Sequence, residues 1–249
     1  MKLNLRYSLS WHSRQSDLVM RMEEKDFSKY YLIRIFEKKQ YAAEFVSGVL
    51  FMNSSSSHRI NGNEAQRDPE EGYMLRSGKQ GKIKLYVGDT PNFDLSEAKS
   101  VDIIDAQHHV YACSFYFLEK DVVQLESEFM IREDSPHYHD FCKMIDEYGN
   151  CWVVVLDMSK FVQKIEEQYP TIKYGVVDYV DDIEKERLKV FDPQNPSKSD
   201  YIKSRDFGYQ HEFRLIVSKG AESKEEAIKL CVHNMRECVV KTFCTCDCQ

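Results

Sequence analysis

The stretch Tyr209–Val217 reads YQHEFRLIV and alternates in the way of a β-strand with one apolar and one polar face. Because successive side chains of a strand point to opposite faces, Gln210, Glu212 and Arg214 share one face. The apolar Tyr209, Phe213, Leu215 and Val217 share the other. The Gln-x-Glu pair lies one pleat apart, so its two side chains can converge on a single bound molecule. The stretch therefore predicts a half-buried strand that carries a functional site.

Length and composition favour one globular domain with a sizeable core. The chain has 249 residues, and its shares of hydrophobic (42%), charged (30%) and aromatic (12%) residues argue against disorder. The formal charge of -7 argues against a broad, sequence-independent grip on nucleic acid, which needs clustered Lys and Arg. No apolar run has the length of a signal peptide or membrane span, and the eight cysteines are expected to be reduced, so we predict a cytoplasmic protein.

Hydrophobic periodicity predicts an α+β domain without internal repeats or a clean linker. The predicted strands are residues 30–36, 49–53, 82–87, 101–104, 109–117, 151–157, 172–179 and 209–217, with 101–104 and 109–117 as a candidate hairpin. Helices are predicted at 39–49, in parts of 119–148, at 159–168 with Ser159 as its cap, and at 183–191, while 90–99 is predicted as a turn. The continuous apolar run at 151–157 indicates a strand that is buried on both faces.

The C-terminal part contains a helix-start pattern. Ser223-Lys224-Glu225-Glu226 has the form of a capping box, and apolar positions continue from it to Met235, which predicts a helix. The tail from Val239 either continues this helix or forms a last strand.

One charge, Arg34, lies inside the otherwise apolar strand predicted at Tyr30–Phe36. A guanidinium is costly to bury unless an anionic group meets it. Its partner is either an internal carboxylate such as Glu44 or Glu71, or a ligand phosphate, which Arg binds with two parallel hydrogen bonds. The serine run Ser54–Ser57 is likewise either a flexible turn or a set of hydroxyl groups for a ribose or phosphate.

Two histidine groups and the C-terminal cysteines contain metal-binding residue types. They are His108 and His109 with Cys113, His137 and His139 with Asp134 and Cys142, and Cys244, Cys246 and Cys248. Neither histidine group has a recognised zinc spacing, and a frayed tail accounts for the cysteines, so no metal site is predicted.

Together, Arg34, a serine segment that ends the second strand, and Gln210-x-Glu212 resemble the Arg-Ser-Glu class of ADP-ribosyltransferases. The layout is also similar to an uncharacterised prokaryotic family that is predicted to share this fold and is often found in phage-defence or toxin loci. The segments that carry the resemblance are LIR at 32–34, LFMNS at 50–54, DPEEG at 68–72, YACS at 111–114, GNCWV at 149–153 and FGYQHEFR at 207–214. The chain departs from the pattern in two places: Asn53 and the serine run replace the usual Ser-Thr-Ser element, and the loop from 57 to 68 is longer.

The resemblance implies a single α+β domain built on a split, mixed or antiparallel sheet with flanking helices. Residues 30–217 would form the ADP-ribosyltransferase-like core, 1–29 an N-terminal extension, and 218–249 a C-terminal helix and Cys-rich tail. It further implies an enzyme that cleaves the nicotinamide-ribose bond of NAD, as an ADP-ribosyltransferase or an NAD glycohydrolase, in anti-phage defence or a toxin system.

The resemblance also assigns roles to residues of this chain. Glu212 would stabilise the oxocarbenium-like ribose, Gln210 would orient the acceptor, and Arg34 would bind the pyrophosphate. The other implied contacts are Ser54 or Ser55, which would support the site, and Tyr41 or Tyr209, which would stack on the nicotinamide. Asp68 and Glu71 are either turn residues or catalytic.

Other functions stay open on the sequence alone. The acceptor is water, a protein or a nucleic acid, and partners such as an antitoxin or a phage protein are expected, but no membrane. The first alternative is a non-enzymatic nucleotide- or protein-binding factor on the same fold, such as an antitoxin or a phage counter-defence protein. The second is a metal-dependent hydrolase that uses the histidine groups.

Overall fold

The structure, a computed structural model, describes residues 26–54, 73–77, 84–87, 90–94, 101–104, 108–125, 129–149, 151–190, 200–220 and 226–245. Several residues singled out above lie outside these ranges: residues 1–25, Ser55, Asp68, Glu71, Cys246 and Cys248.

Strands and short helices alternate along the described chain. The strands are β1 Tyr30–Phe36, β2 Val49–Ser54, β3 Tyr73–Ser77, β4 Lys84–Val87, β5 Thr90–Asp94, β6 Val101–Ile104, β7 His108–Glu119, β8 Val123–Gln124, β9 Met130–Ile131, β10 Trp152–Asp157, β11 Lys173–Val176, β12 Asp178–Val180, β13 Ile202–Ser204, β14 Glu212–Gly220, β15 Ala227–Cys231 and β16 Val239–Cys244. The α-helices are α1 Lys39–Val46, α2 His137–Tyr148, α3 Met158–Gln168 and α4 Ile183–Val190. Short 3-10 helices occur at Phe27–Lys29, Lys120–Val122, Arg205–Gln210 and Met235–Cys238.

Eight strands of the described chain form the main sheet, which confirms the predicted α+β class. The strand order is β11-β14-β7-β1-β10-β16, and β2 pairs with both β7 and β15. All of these pairs are antiparallel. The remaining pairs are β12 with β13, β3 with β6, β4 with β5, and β8 with β9, of which only the first is parallel.

Two different strands share one edge of β7. Residues 116–119 of β7 pair with β1, and residues 111–112 pair with β2. Residues 113–115 lie between them and have no strand partner on that edge among the described residues. The opposite edge pairs with β14 over residues 108–116. The sheet is therefore open at one place, beside the middle of β7.

Helices cover both faces of the sheet. On one face, the ring of Phe115 in β7 packs against Phe45 of α1 and Phe161 of α3, with centroid distances of 6.1 and 5.1 Å. On the other face, Tyr116 packs against Phe141 of α2 at 5.5 Å. Strand β10 lies between both layers with residues 153–156 fully buried, which confirms its prediction as a two-sided core strand.

The predicted C-terminal helix is wrong where the structure describes the chain. Ala227–Cys231 is strand β15, which pairs with β2, and Val239–Cys244 is strand β16, which pairs with β10. Ile228 and Leu230 pack on the apolar core. Strand pairing along β2 satisfies the backbone and outweighs the helix propensity that the capping box suggested. The described residues of 218–249 therefore form strands rather than a helix, and the tail from Val239 follows the strand alternative. Residues 221–225 and 246–249 lie outside the described residues.

Three local predictions also need correction. Strands 101–104 and 109–117 do not form a hairpin, because β6 pairs with β3. Thr90–Asp94 is a strand rather than a turn. Helix α3 begins at Met158, and Asp157 rather than Ser159 is its cap, accepting a hydrogen bond from the Lys160 amide at 3.1 Å.

Helix α1, predicted over 39–49, ends at Val46, and Gly48 follows its C-terminal cap Ser47. Gly48 has a φ of 108°, and a Cβ atom there would lie 2.3 Å from the Val232 carbonyl oxygen, so only glycine fits. None of the helices in the described ranges has both the length and the apolar character needed to cross a membrane.

Candidate functional site

The backbone reverses within the stretch that was predicted as one strand. Ser204 caps the 3-10 helix Arg205–Gln210, His211 follows in the left-handed conformation with φ 37° and ψ 60°, and β14 begins at Glu212. The strand prediction is therefore confirmed from Glu212 onward and wrong for the three residues before it. The left-handed turn at His211, rather than strand alternation, sets the position of Gln210 relative to Glu212.

A cavity of about 150 Å³ lies at the open place of the sheet. Its charged, amide and hydroxyl lining includes Arg34, Asn53, Ser114, Lys203, Gln210, Glu212 and Arg214. Arg34 and the Gln-x-Glu pair, which are about 180 residues apart in sequence, line the same cavity. The lining contains three cationic side chains and one carboxylate, which is a formal charge of +2.

Glu212 is held by two cations inside the protein. Its Oε1 accepts hydrogen bonds from Nε and Nη2 of Arg214 at 3.2 and 2.9 Å. Its Oε2 lies 3.1 Å from Nη2 of Arg214 and 3.0 Å from Nζ of Lys203. The three side chains are only 3–7% exposed, so this is a buried ion network rather than a surface salt bridge.

The network keeps Glu212 ionised. Burial alone would raise the pKa of this carboxyl group. The positive charges of Arg214 and Lys203, together with a hydrogen bond from the Ser114 hydroxyl, outweigh burial and hold the pKa well below its usual range. The cavity therefore contains a fixed negative charge at neutral pH.

Lys203 connects the two residues of the Gln-x-Glu pair. Its Nζ donates to Gln210 Oε1 at 3.0 Å and lies 3.0 Å from Glu212 Oε2. Gln210 and Glu212 thus both contact the ammonium group of Lys203, whereas the sequence predicted that they converge on a bound molecule. No local sequence pattern marks Lys203, whereas Arg214, on the polar face of the strand, follows from the need of a buried carboxylate for a cation.

Within the described chain, the guanidinium of Arg34 donates one hydrogen bond. Its Nη1 donates to the Ser114 carbonyl oxygen at the open edge of β7, and its Cζ lies 5.9 and 5.7 Å from the ring centroids of Phe36 and Phe115. Within the described chain Arg34 forms no ion pair, so Glu44 is not its partner, and Glu71 lies outside the described residues. Among the described residues, no other group accepts from the guanidinium of Arg34, which lines the cavity.

The remaining described candidates, Ser54, Tyr41 and Tyr209, do not line the cavity. Ser54 is 2% exposed at the end of β2, where its amide donates to the Glu226 carbonyl oxygen, and its neighbour Asn53 lines the cavity. Tyr41 is 43% exposed on α1, and Tyr209 donates its hydroxyl to Glu147 on α2. Neither tyrosine belongs to the cavity lining.

The candidate metal groups do not assemble in the described part of the chain. No group of three or more His, Cys, Asp or Glu side chains there could hold a metal ion. His137 instead contacts Glu119, and Cys113 is buried in the core.

Comparisons of the chain with protein-family models, curated proteins and solved structures gave no significant match. Function is therefore inferred from the cavity and its residues.

Proposed function

We propose that the protein cleaves the nicotinamide-ribose bond of NAD, as an ADP-ribosyltransferase or an NAD glycohydrolase, in the cavity beside β7. The observation that carries this proposal is that Arg34 of β1, Gln210 and Glu212 line one cavity, in the order that the Arg-Ser-Glu resemblance implies. On the same ground we propose that the sheet is of the ADP-ribosyltransferase type. Its support is the opening where β1 and β2 share one edge of β7.

The chemistry requires a fixed negative charge beside the reacting ribose. When the bond breaks, its electron pair leaves with nicotinamide and positive charge develops on the ribose. The ionised Glu212 would stabilise that charge electrostatically. In hydrolysis, water adds to the ribose carbon and one proton is released, which yields nicotinamide and ADP-ribose. In transfer, a side chain or base takes the place of water.

The positive charge of the cavity favours an anionic ligand, but the cavity is small. Arg34 has the planar donor geometry that binds phosphate oxygens bidentately. A volume of about 150 Å³ is below the roughly 300–1,000 Å³ of typical small-molecule sites. Side chains around the cavity therefore have to move before it accepts NAD.

Nicotinamide release from NAD is the direct test, with Arg34→Lys and Glu212→Gln as the informative variants. Arg34→Lys keeps the charge but loses the fork, and Glu212→Gln loses the negative charge. We expect release by the native protein and a loss of roughly 100-fold or more in Glu212→Gln, the size seen when a key electrostatic group is removed. Arg132→Lys and Glu237→Gln, in exposed ion pairs, are matched controls that keep activity.

Folding has to be checked before activity is compared, since Glu212 is the partner of two buried cations. Thermal unfolding of each variant gives the temperature range in which it is folded, and each variant is assayed within that range. No release by the native protein, or equal release from a folded Glu212→Gln variant, would overturn the proposal.

A second candidate, a nucleotide-binding factor without turnover, is favoured by the engagement of Glu212. Both carboxylate oxygens already accept from Arg214 or Lys203, so Glu212 serves here as a structural ion. Arg34 would then anchor the ligand. Calorimetric titration with ADP-ribose separates the two: binding that Arg34→Met abolishes, without nicotinamide release, supports the second candidate.

A further inference from the structure

Two histidines form a pair next to the cavity. The ring centroids of His137, on α2, and His211 are 4.5 Å apart, with an interplanar angle of 62°. Each ring has its own carboxylate: His211 Nε2 lies 2.7 Å from Asp140 Oδ2, and His137 Nε2 lies 3.0 Å from Glu119 Oε2. We refer to His137 and His211 as the histidine pair. It belongs to neither the ion network of Glu212 nor the proposed chemistry.

The surroundings of His137 suit its neutral form. With the proton on Nε2, that nitrogen donates to Glu119, while the hydroxyl of Tyr116 lies 3.4 Å from both Nδ1 and the backbone carbonyl oxygen of His137. A second proton, on Nδ1, makes the ring cationic and places that charge against the ring of His211. Burial, and then the charge of His211, lower the pKa of His137, while Glu119 and Asp140 act in the opposite direction.

The charged and titratable groups around the pair come from two elements. Glu119 and Tyr116 face it from β7, and Asp140 faces it from α2. Burial, followed by the charges of Asp140, Glu119 and Cys142, raises the pKa of Tyr116. Farther along α2, Lys143 and Glu147 contact Tyr209 instead. Among these groups, His137 is the side chain whose protonation adds a positive charge next to the ring of His211.

The backbone links the histidine pair to the cavity. His211 is the single residue between Gln210 and Glu212, and its left-handed conformation is uncommon for a residue with a side chain. Its carbonyl oxygen accepts from the Phe117 amide of β7, and its ring is tied to α2 through Asp140. Because rotation at His211 moves Gln210 relative to Glu212, the contacts of its ring hold the geometry of the cavity wall.

We propose that His211 is a positioning residue for the Gln-x-Glu pair, and that protonation of the neighbouring His137 shifts Gln210 and Glu212 at the cavity. The proposal rests on the histidine pair and the backbone turn, and it holds whether or not NAD is the ligand.

The test follows resonances of the isotope-labelled full chain by NMR between about pH 5 and 8, where histidines titrate. The probes are the imidazole signals of the pair, the side-chain amide of Gln210 and the backbone amide of Glu212. Because Glu212 stays ionised over this range, its amide reports the histidines and not its own titration. We expect the amides of Gln210 and Glu212 to change with the same midpoint as His137.

Variants separate this coupling from a merely structural role. His137→Gln removes the transition at Glu212, whereas His139→Gln, an exposed position on the same helix, leaves it unchanged. Glu119→Gln removes the carboxylate that favours protonated His137, so both midpoints move together to lower pH. His211→Asn, a residue that tolerates the left-handed conformation, also abolishes the transition. A transition at Glu212 that persists in His137→Gln, or is absent from the native protein, would overturn the proposal.

Discussion

Two arginines border the same cavity but are bound differently. Arg214 of β14 holds both oxygens of Glu212, and its Nη1 donates to the Asp200 carbonyl oxygen, with the side chain 3% exposed. Arg34 of β1 donates to one backbone oxygen and lies near two aromatic rings. One side of the cavity is thus a buried ion network around Glu212. The other side contains Arg34, which forms no ion pair among the described residues.

The largest effect is expected from Arg214→Met, which breaks the network. The change leaves buried Glu212 with Lys203 as its cation, and loss of one partner of a buried ion pair costs about 3–5 kcal/mol of unfolding free energy. Urea denaturation measures this loss. Arg132→Met removes an exposed arginine paired with Asp134 and is expected to lower the unfolding free energy far less. Equal losses in the two variants would show that the buried network is not special.

Lys203→Met tests the contacts by which Lys203 connects Gln210 with Glu212. Glu212 keeps Arg214, but Gln210 and Glu212 each lose a donor, so the expected cost is about 1–3 kcal/mol. Denaturation of Lys164→Met, which loses the largely exposed partner Glu237, provides the comparison. If Lys203→Met were as stable as the native protein, the ammonium group would not support the pair.

Arg34→Met is expected to change stability little and ligand binding strongly. The fold loses one hydrogen bond and two ring contacts, about 1 kcal/mol. The affinity for ADP-ribose, measured by calorimetry, should fall tenfold or more, since about 1.4 kcal/mol corresponds to a factor of ten and charged hydrogen bonds exceed it. A stability loss as large as that of Arg214→Met, with unchanged affinity, would reverse the comparison of the two arginines.

The smallest effect is a difference between two pH windows of stability. The pKa of Glu212 is lowered in the folded state, so its contribution is full above the unfolded value of about 4.3 and is lost as pH falls below it. The pKa of His137 is also lowered, so the unfolded chain takes up its proton first and stability falls below about pH 6.5. Unfolding midpoints against pH should show both losses, and His137→Gln should remove the upper one alone. An unchanged profile would contradict this assignment.

The strands that flank the cavity were predictable because their sequence patterns are local. The apolar runs predicted strands β1 and β10, and β10 is buried as its run indicates. The prediction of a half-buried strand was wrong for β14, because Glu212 and Arg214 on its polar face are buried in an ion network. Arg34 stood out as the single charge within such a run. The C-terminal region was predicted incorrectly, because the capping-box pattern near Ser223 competes with a pairing to β2, which is far away in sequence.

By itself, the sequence determined the α+β class, the core strands and the identity of the charged residues that had to find partners. Only the tertiary structure decided which partners they found. Lys203 meets Gln210 and Glu212 because the chain reverses at His211, and Arg34 reaches the cavity because β1 and β2 leave the middle of β7 open. Such contacts depend on strand register and on one backbone turn. Neither is encoded in the spacing of apolar residues, and so the fold, rather than the motif, separates the arginine that binds Glu212 from the arginine that lines the cavity without an ion-pair partner among the described residues.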